Sequence, residues 1–393
     1  MSLLTPLYLD HAATSWPKPE SVYQASEAYS RTIGGSYGRG SYRRAQETAR
    51  LVDQSRNSLA RLLGVTKPQQ LAFTYSCTDS LNFIFQGLLR PGDHVIATVF
   101  EHNSVLRPLS QLHELGAISF TLVEPDENGR ITPAAIDAAV TEETRLACVT
   151  HASNVTGILQ DVKAIGELCQ ERDIFFLIDA AQTAGHVPLS LSSMAVDFVA
   201  MSGHKGLLGP LGTGLLYVRE DMEQHVLPYR LGGTGTNSED LLAPEEMPAR
   251  FESGSLNVPG IVGLGAAAEF LLQEGVEALQ SKTAKLTQLA IDRLLEIEGL
   301  SLAYPDVPAS DRVGVLSLIV EGFEPEILAS ILDDSFGIQV RAGLHCAPKA
   351  HEFIGTLATG GMLRASFGHA TTEEDVLRFV EAMKSIVTST SLS

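Results

Sequence analysis

The sequence predicts an α/β protein: a large domain with a mainly parallel sheet sandwiched by helices, followed by a smaller α+β C-terminal domain. Three observations predict it. Strand-like and helix-like segments alternate from Leu71 to Lys205, the pattern of a doubly wound sheet. Two of those strands, Ile174 to Ile178 and Asp197 to Met201, are apolar runs rather than alternating ones, so both their faces are buried. Further on the elements become fewer and more spread, and 393 residues are too many for one small core. The expected domains are 1–257 and 258–393, with about the first 20 residues packing on the smaller one.

Taken in order, Leu7 to Asp10 is short and apolar and leads through His11-Ala12-Ala13-Thr14 into a Pro-rich turn, Trp16 to Pro19. Glu20 to Tyr29 reads as a helix. Ile33 to Tyr42 is rich in Gly and Ser and forms a loop; with Arg39, Arg43 and two tyrosines it is either a connector or an active-site rim. Arg44 to Leu63 has helical spacing, with Leu51, Leu59, Leu62 and Leu63 on one side and Gly64 as C-cap. Leu71 to Tyr75 is a strand, followed by Ser76-Cys77-Thr78-Asp79-Ser80 and a helix, Leu81 to Leu89. Hydroxyls and bare amides at that helix start suit an anion, and an ordinary N-cap by Thr78 or Ser76 explains them equally well.

His94 to Thr98 is a strand ending in Phe100-Glu101-His102-Asn103, then a helix, Asn103 to Leu115, and a strand, Ile118 to Val123. Thr132 caps a helix from Pro133 to Val140. Leu146 to His151 is a strand followed by Ser153-Asn154-Val155-Thr156-Gly157, and Val162 to Glu171 is a helix. After Lys205, four glycines lead into the strand Leu215 to Val218, and Tyr229 to Asp240 is a polar Gly-rich loop. A long helical region runs from Pro259 to about Gly299. The remainder reads as strand Gly314 to Val320, helix Pro325 to Asp334, strands Ile338 to Arg341 and Met362 to Phe367, and helix Glu373 to Val387.

The formal charge, 28 − 47 = −19, argues against nucleic acid or an anionic membrane as partner. No apolar run reaches the length of a bilayer span, and no basic-then-apolar leader precedes the first strand. The four cysteines, Cys77, Cys148, Cys169 and Cys346, show neither C-x-x-C pairs nor zinc spacing. Free thiols in a reducing cytoplasm, with no metal, are the expectation.

Ligands of parallel sheets bind outside the carboxyl ends of the strands. Asp179 closes one strand and Ser202-Gly203-His204-Lys205 the next, so Asp179 and Lys205 should face one crevice. A carboxylate there can hold a pyridinium nitrogen protonated, and an amine can form a Schiff base with an aldehyde. That pair is what pyridoxal 5'-phosphate (PLP) requires of a protein. Alone, a strand-end Asp is usually a loop cap and a surface Lys is usually solvated; the combination carries the reading. His102, at a strand end, is either an ordinary exposed loop histidine, the commoner fate, or a ring to stack on the cofactor, and Thr78, Ser202 and His204 can donate to its phosphate. Arg341 or Arg364 can clamp a substrate carboxylate.

Strand-Asp-x-x-Gln, then a strand running into Ser-x-His-Lys and a Gly-rich segment, resembles the cofactor core of the fold-type I PLP-dependent transferases. More narrowly it resembles the class V aminotransferases, which include the cysteine desulfurases, and the likeness covers nearly the whole chain. The opening Leu9-Asp10-His11-Ala12-Ala13-Thr14 looks like the start of that group, with Ala13 beside the substrate. The resemblance implies that His102, in a Glu-His pair, stacks on the cofactor and shuttles protons. It implies that Asn154, in His-x-Ser-Asn, lies by the ring hydroxyl or the substrate. Asp179 and Gln182 match the ring-nitrogen and ring-oxygen contacts, Lys205 the Schiff-base lysine, and Thr78, Ser202 and His204 the phosphate contacts. Cys77 lies at the cofactor where a small Gly- or Thr-type residue is common. Ser255 ends Arg-Phe-Glu-Ser-Gly-Ser, whose last hydroxyl reaches the phosphate of the other subunit's cofactor. That implies a homodimer with shared sites.

Val340-Arg341-Ala342-Gly343-Leu344-His345-Cys346-Ala347-Pro348 is similar to the Arg-x-Gly-x-His-Cys-Ala loop of the SufS-like (group II) cysteine desulfurases and selenocysteine lyases. In them this Cys receives the sulfur, and the later arginine, here Arg364, holds the substrate carboxylate with help from Arg341. A lone Cys is ordinarily an inert buried thiol. This one sits in a Gly- and Pro-bounded loop beside His345 and Arg341, a cationic and partly open setting that makes a thiol nucleophilic. Three departures stand out: Leu344 replaces a second His, Ser255 replaces Thr, and Lys349 to Gly361 differs from the best-known members. The implied reaction converts L-cysteine, or L-selenocysteine, to L-alanine with the sulfur left on Cys346 as a persulfide. A protein acceptor, such as a scaffold for iron–sulfur clusters, would follow. The alternatives are a selenocysteine lyase, another class V reaction (transaminase, racemase) with Cys346 a bystander, and an idle sulfur carrier. The Asp179/Lys205 pair speaks against the last.

Overall fold

The computed structural model describes residues 6–38, 40–235 and 240–390; Arg39 and residues 236–239 of the Gly-rich loop lie outside the described residues. The first half contains β1 (Leu7–Tyr8), α1 (Glu20–Ala28), α2 (Arg43–Leu62), β2 (Leu71–Thr74), α3 (Cys77–Leu88), β3 (His94–Thr98), α4 (Asn103–Glu114), β4 (Ser119–Val123), α5 (Pro133–Ala138), β5 (Thr144–Thr150), α6 (Val162–Glu171), β6 (Phe175–Asp179) and β7 (Phe198–Ser202). The second contains β8 (Gly214–Val218), α7 (Val258–Glu274), α8 (Val276–Leu294), β9 (Leu300–Leu302), β10 (Val315–Val320), α9 (Pro325–Phe336), β11 (Ile338–Gln339), β12 (Arg341–Gly343), α10 (Pro348–Ile354), β13 (Met362–Ser366) and α11 (Glu373–Thr390).

A seven-stranded sheet runs in the order β2-β8-β7-β6-β5-β3-β4. The five strands from β7 to β4 are parallel. β8 is antiparallel to both β7 and β2, so β2 points the same way as the five. The link from β7 to β8 carries no helix, and a return without a crossover can only be antiparallel. The sheet is mixed and mainly parallel, as its alternating segments predict. Successive residues face opposite ways and both sets are apolar. Ile96, Val149, Ile178 and Val199 enter one core, and Val95, Cys148, Leu177 and Ala200 the other. Each of the buried Val, Leu and Ile side chains contributes about 1.5–3 kcal/mol.

A four-stranded antiparallel sheet, β12-β13-β10-β9, carries the smaller core with α8, α9 and α11. Leu7 and Leu9 enter that core, and β1 pairs in parallel with β11. α7, which the expected division at 257/258 assigns to the smaller domain, buries Ile261, Leu264, Ala268 and Leu271 in the larger core. The smaller core takes residues of α8 from Leu286 onward.

The expected helical region from Pro259 to about Gly299 is made of two helices that meet at Gly275, whose φ of +80° ends α7. The expected strand 338–341 is also two: Ile338–Gln339 pairs with β1, and Arg341–Gly343 pairs with β13. β9 and α10 carry no legible signal, being only 3 and 7 residues long. Among the described residues no helix is long and apolar enough to cross a membrane, and no group of three His, Cys, Asp or Glu side chains suits a metal ion.

Candidate active site

β2, β3, β5, β6 and β7 all end at one edge of the sheet, where the following loops close a cavity of about 210 Å³. Twelve of the fourteen residues expected at the site line it. β6 supplies Asp179, and the turn after it Gln182. The last residue of β7 is Ser202, the turn after it supplies His204 and Lys205, and α3 supplies Cys77 and Thr78. His102, Asn154 and Ala13 join from other loops, and Arg341 and Arg364 come from the smaller domain.

Asp179 is 3% exposed, and its Oδ1 accepts from the Ala181 N–H at 2.9 Å and from the Cys77 thiol at 3.3 Å. Burial pushes the Cys77 thiol well up, and the Asp179 carboxylate adds to the shift, so Cys77 stays protonated and donates. Burial pushes the Lys205 amine down, against the attraction of Asp179. Ser76, rather than Thr78, caps α3 by accepting from the Asp79 N–H, which leaves the Thr78 hydroxyl at the cavity wall. His102 caps α4: its Nδ1 accepts from the Ser104 N–H at 3.0 Å, so a neutral ring carries its proton on Nε2. Burial, then Lys205, lowers that imidazole to about 4.

Gln182 donates through Nε2 to the Ala12 carbonyl at 3.0 Å. Its Oε1, the Ser202 hydroxyl and His204 Nδ1 are buried without a protein partner. Asn154 donates to the His345 carbonyl at 2.6 Å, which links β5's loop to the cysteine loop. Arg364 is 1% exposed; it pairs with Asp10 at 2.7 Å and donates to the Asn154 carbonyl at 3.1 Å. Asp10 was not among the expected site residues, although it closes the segment after β1 as Asp179 closes β6. Glu101, next to His102, is also new. It is fully buried, bonded through Oε1 to the Thr98 hydroxyl and the Thr150 N–H, and raised to about 8 by burial.

Two expected residues lie apart. Cys346 is half-buried and outside the cavity lining, with the Arg341 guanidinium 3.5 Å from its sulfur. Arg341 touches both the thiol and the cavity. Ser255 is exposed and lines a second cavity, of about 420 Å³, with Tyr29, Gly35 and Tyr37.

The pattern of the aminotransferase class-V family matches residues 7–379. The chain belongs to that family. Among class V relatives, a probable cysteine desulfurase of Methanothermobacter thermautotrophicus is 36% identical, over 97% of this chain and 94% of its own length. A cysteine desulfurase of Haloferax volcanii is 31% identical, over 96% and 89%. The apo cysteine desulfurase of Thermococcus onnurineus NA1 superposes with a TM-score of 0.91 at 30% identity, covering 98% of this chain and 95% of that one. The cysteine desulfurase CsdA of Escherichia coli gives 0.87 at 27% identity, with the same coverage. Their likeness extends over nearly the whole of this class V chain.

Proposed function

We propose that this chain is a PLP-dependent cysteine desulfurase of the group II kind, converting L-cysteine to L-alanine and passing the sulfur to Cys346. The observation that carries the reading is the joint presence of Lys205, Asp179 and His102 around one small cavity, with Cys346 one guanidinium away.

The residues present fit the cofactor. The unpartnered Ser202 hydroxyl and Gln182 Oε1 are polar atoms whose burial costs free energy unless a ligand meets them. Lys205 would anchor the group, Asp179 its ring nitrogen, Gln182 its ring oxygen and His102 its face. Thr78, Ser202 and His204 would hold its phosphate, and Cys77 would lie beside it. When bound, it supplies an electron sink that makes the Cα proton of an amino acid removable.

The chain's own residues do the rest. Arg364 and Arg341 hold the substrate carboxylate, with Asn154 and Ala13 bounding it. The Lys205 amine, lowered by burial, is a base for the Cα proton, and neutral His102 moves protons at Nε2. The Cys346 thiolate attacks the substrate sulfur: the S–S bond forms, the Cβ–S bond breaks, and its electron pair stays with the carbon fragment. Protonation of that carbon leaves L-alanine. The test is to incubate with L-cysteine and weigh the tryptic peptide bearing Cys346. Added sulfur, with alanine in the solution, is expected; a keto acid or D-amino acid would overturn the reading. Relative rates on L-cysteine and L-selenocysteine assign the preferred substrate.

The same reading makes the protein a cytoplasmic homodimer. Ser255 is exposed and apart from its own chain's cavity, where a second subunit's phosphate could reach it. Leu231, Leu241 and Leu242 nearby along the chain are 71–100% exposed, as an interface requires. A separate protein accepts the persulfide sulfur. The domain division falls at Gly275, since α7 packs with the larger core.

A further inference from the structure

The loop that carries Cys346 is backed by two histidines that the proposed reaction does not use. His345 and His351 are 2% and 0% exposed, and their rings lie 5.4 Å apart, tilted by 39°. His345 Nε2 is 3.4 Å from the Arg341 carbonyl oxygen. A carbonyl only accepts, so neutral His345 carries its proton on Nε2 and a lone pair on Nδ1. His351 Nδ1 is 2.8 Å from the Thr356 hydroxyl. His345 Nδ1 and His351 Nε2 are both buried without a protein partner. The first is an acceptor, and the second donates once Nδ1 accepts from Thr356. The two atoms are not hydrogen-bonded to each other; with the ring centres 5.4 Å apart, a rotation of either ring would be needed to join them. Hydrogen bonds would then run one way: Thr356 to His351, His351 to His345, His345 to the Arg341 carbonyl.

We propose that His351 is a positioning residue for Cys346, fixing the Arg341 backbone through His345 and so holding the Arg341 guanidinium against the cysteine thiol. The loop needs such a support. His345 and Cys346 are consecutive non-glycine residues with φ of +50° and +58°, a backbone that persists only where its surroundings over-determine it. Asn154 holds the His345 carbonyl and the Asn103 N–H holds that of Cys346, at 2.6 and 2.7 Å. These bonds fix the backbone after Leu344 and leave Arg341 to the imidazole pair and the β12 ladder. His351 is itself anchored, its carbonyl accepting from the Thr356 N–H at 2.8 Å and the Leu357 N–H at 3.1 Å. Burial holds His345 at about 2 and His351 at about 4, so both are neutral near pH 7; the cation in contact with the thiol is Arg341, and Arg364 also acts on it electrostatically.

The proposal rests on Cys346 as sulfur acceptor, but its test does not. The full-length, cofactor-loaded protein is treated with iodoacetamide from about pH 6 to about pH 9, and modification of the Cys346 peptide is followed by mass. His351→Phe keeps the volume and removes both ring nitrogens. It is expected to slow alkylation of Cys346 several-fold and to move the pH profile upward. His351→Gln keeps an amide donor for His345 and is expected to restore most of the rate. Thr356→Val, which loses only the outer hydroxyl, is expected to shift the profile in the same direction by less. Identical profiles for wild type and His351→Phe overturn the proposal, as does a His351→Gln protein that behaves like His351→Phe. If His351→Phe does not fold, an unchanged profile in Thr356→Val overturns it. Absence of added sulfur on the same peptide after L-cysteine refutes the transfer reading alone, and the alkylation result still decides the role of His351.

Discussion

His102 shows how a backbone position sets a side chain's chemistry. Capping α4 consumes Nδ1, and burial beside Lys205 keeps the ring neutral, so Nε2 is the atom left for proton transfer. His102→Asn keeps a capping acceptor. It is expected to melt within a few degrees of wild type and to lose activity by about 100-fold or more. Near-wild-type turnover would remove His102 from the chemistry. Arg364 is harder to read from residue type alone. Its guanidinium already faces Asp10, so a substrate carboxylate would share a cation that is partly neutralised. Asp10→Asn leaves a buried arginine without its counter-charge. A lower melting temperature without ligand and a lower KM for L-cysteine are expected; a raised KM would show that Asp10 helps to place the substrate. The resemblance pointed to Arg364, but Asp10 is 354 positions away and meets it where the segment after β1 pairs with β13 at Asp10 and Ser366.

At the scale of elements, the Arg-Phe-Glu-Ser-Gly-Ser stretch divides its work. Glu252 does not face the cavity. It forms a buried two-pronged pair with Arg56 of α2, at 2.7 and 3.0 Å, and also accepts from the Phe73 N–H of β2. Arg56 lies over the Phe73 ring, 4.4 Å from its centre. One carboxylate therefore ties α2 and β2 to the segment that presents Ser255. Glu252→Gln breaks the charge pair and strands a buried guanidinium. A loss of about 3–5 kcal/mol in unfolding free energy is expected, read from the denaturant midpoint. A loss under about 1 kcal/mol would show that water reaches Arg56. The strand ends were legible because an apolar run that stops at a polar residue marks the edge of a two-face-buried strand. The split of 338–341 between two sheets was not, because a change of partner strand leaves no trace in side-chain type.

For the whole molecule, acid is the expected weakness. His11 is lowered to about 3, and His151, His204 and His369 to about 4, each mainly by burial. His11 packs against Gly368 and is pushed down further by His369 and His186, so two of these rings act on one another. Each binds a proton more readily unfolded, near the ordinary 6.5, than folded. Their contribution to stability is therefore complete above about pH 7 and is lost progressively as pH falls from about 6.5 toward 4. Glu101, raised to about 8, works in the opposite sense: the fold favours its neutral form, and that contribution fades as pH rises through about 8. A melting temperature that falls below about pH 6 as the imidazoles take up protons is expected from thermal scans, with the opposing Glu101 contribution declining between about pH 4.5 and about pH 8 and level above that. A flat profile from pH 7 to pH 4 would mean that these imidazoles are solvated.

Local pattern by itself determined the α/β class, most elements of the sheet, and the Asp179/Lys205 pair. These follow from periodicity and from the rule that strand ends meet at one edge, both properties of short stretches of chain. Resemblance added the roles of Cys346, Asn154 and Ser255. The tertiary structure alone decided that Asp10 neutralises Arg364, that Ser76 and not Thr78 caps α3, and that Cys77 donates to Asp179. It also brought His351 behind the cysteine loop. Each of these is a contact between groups whose burial is set by the packing of other elements, and burial is what turns an ordinary side chain into a neutral imidazole, a lowered amine or an obligatory hydrogen-bond donor.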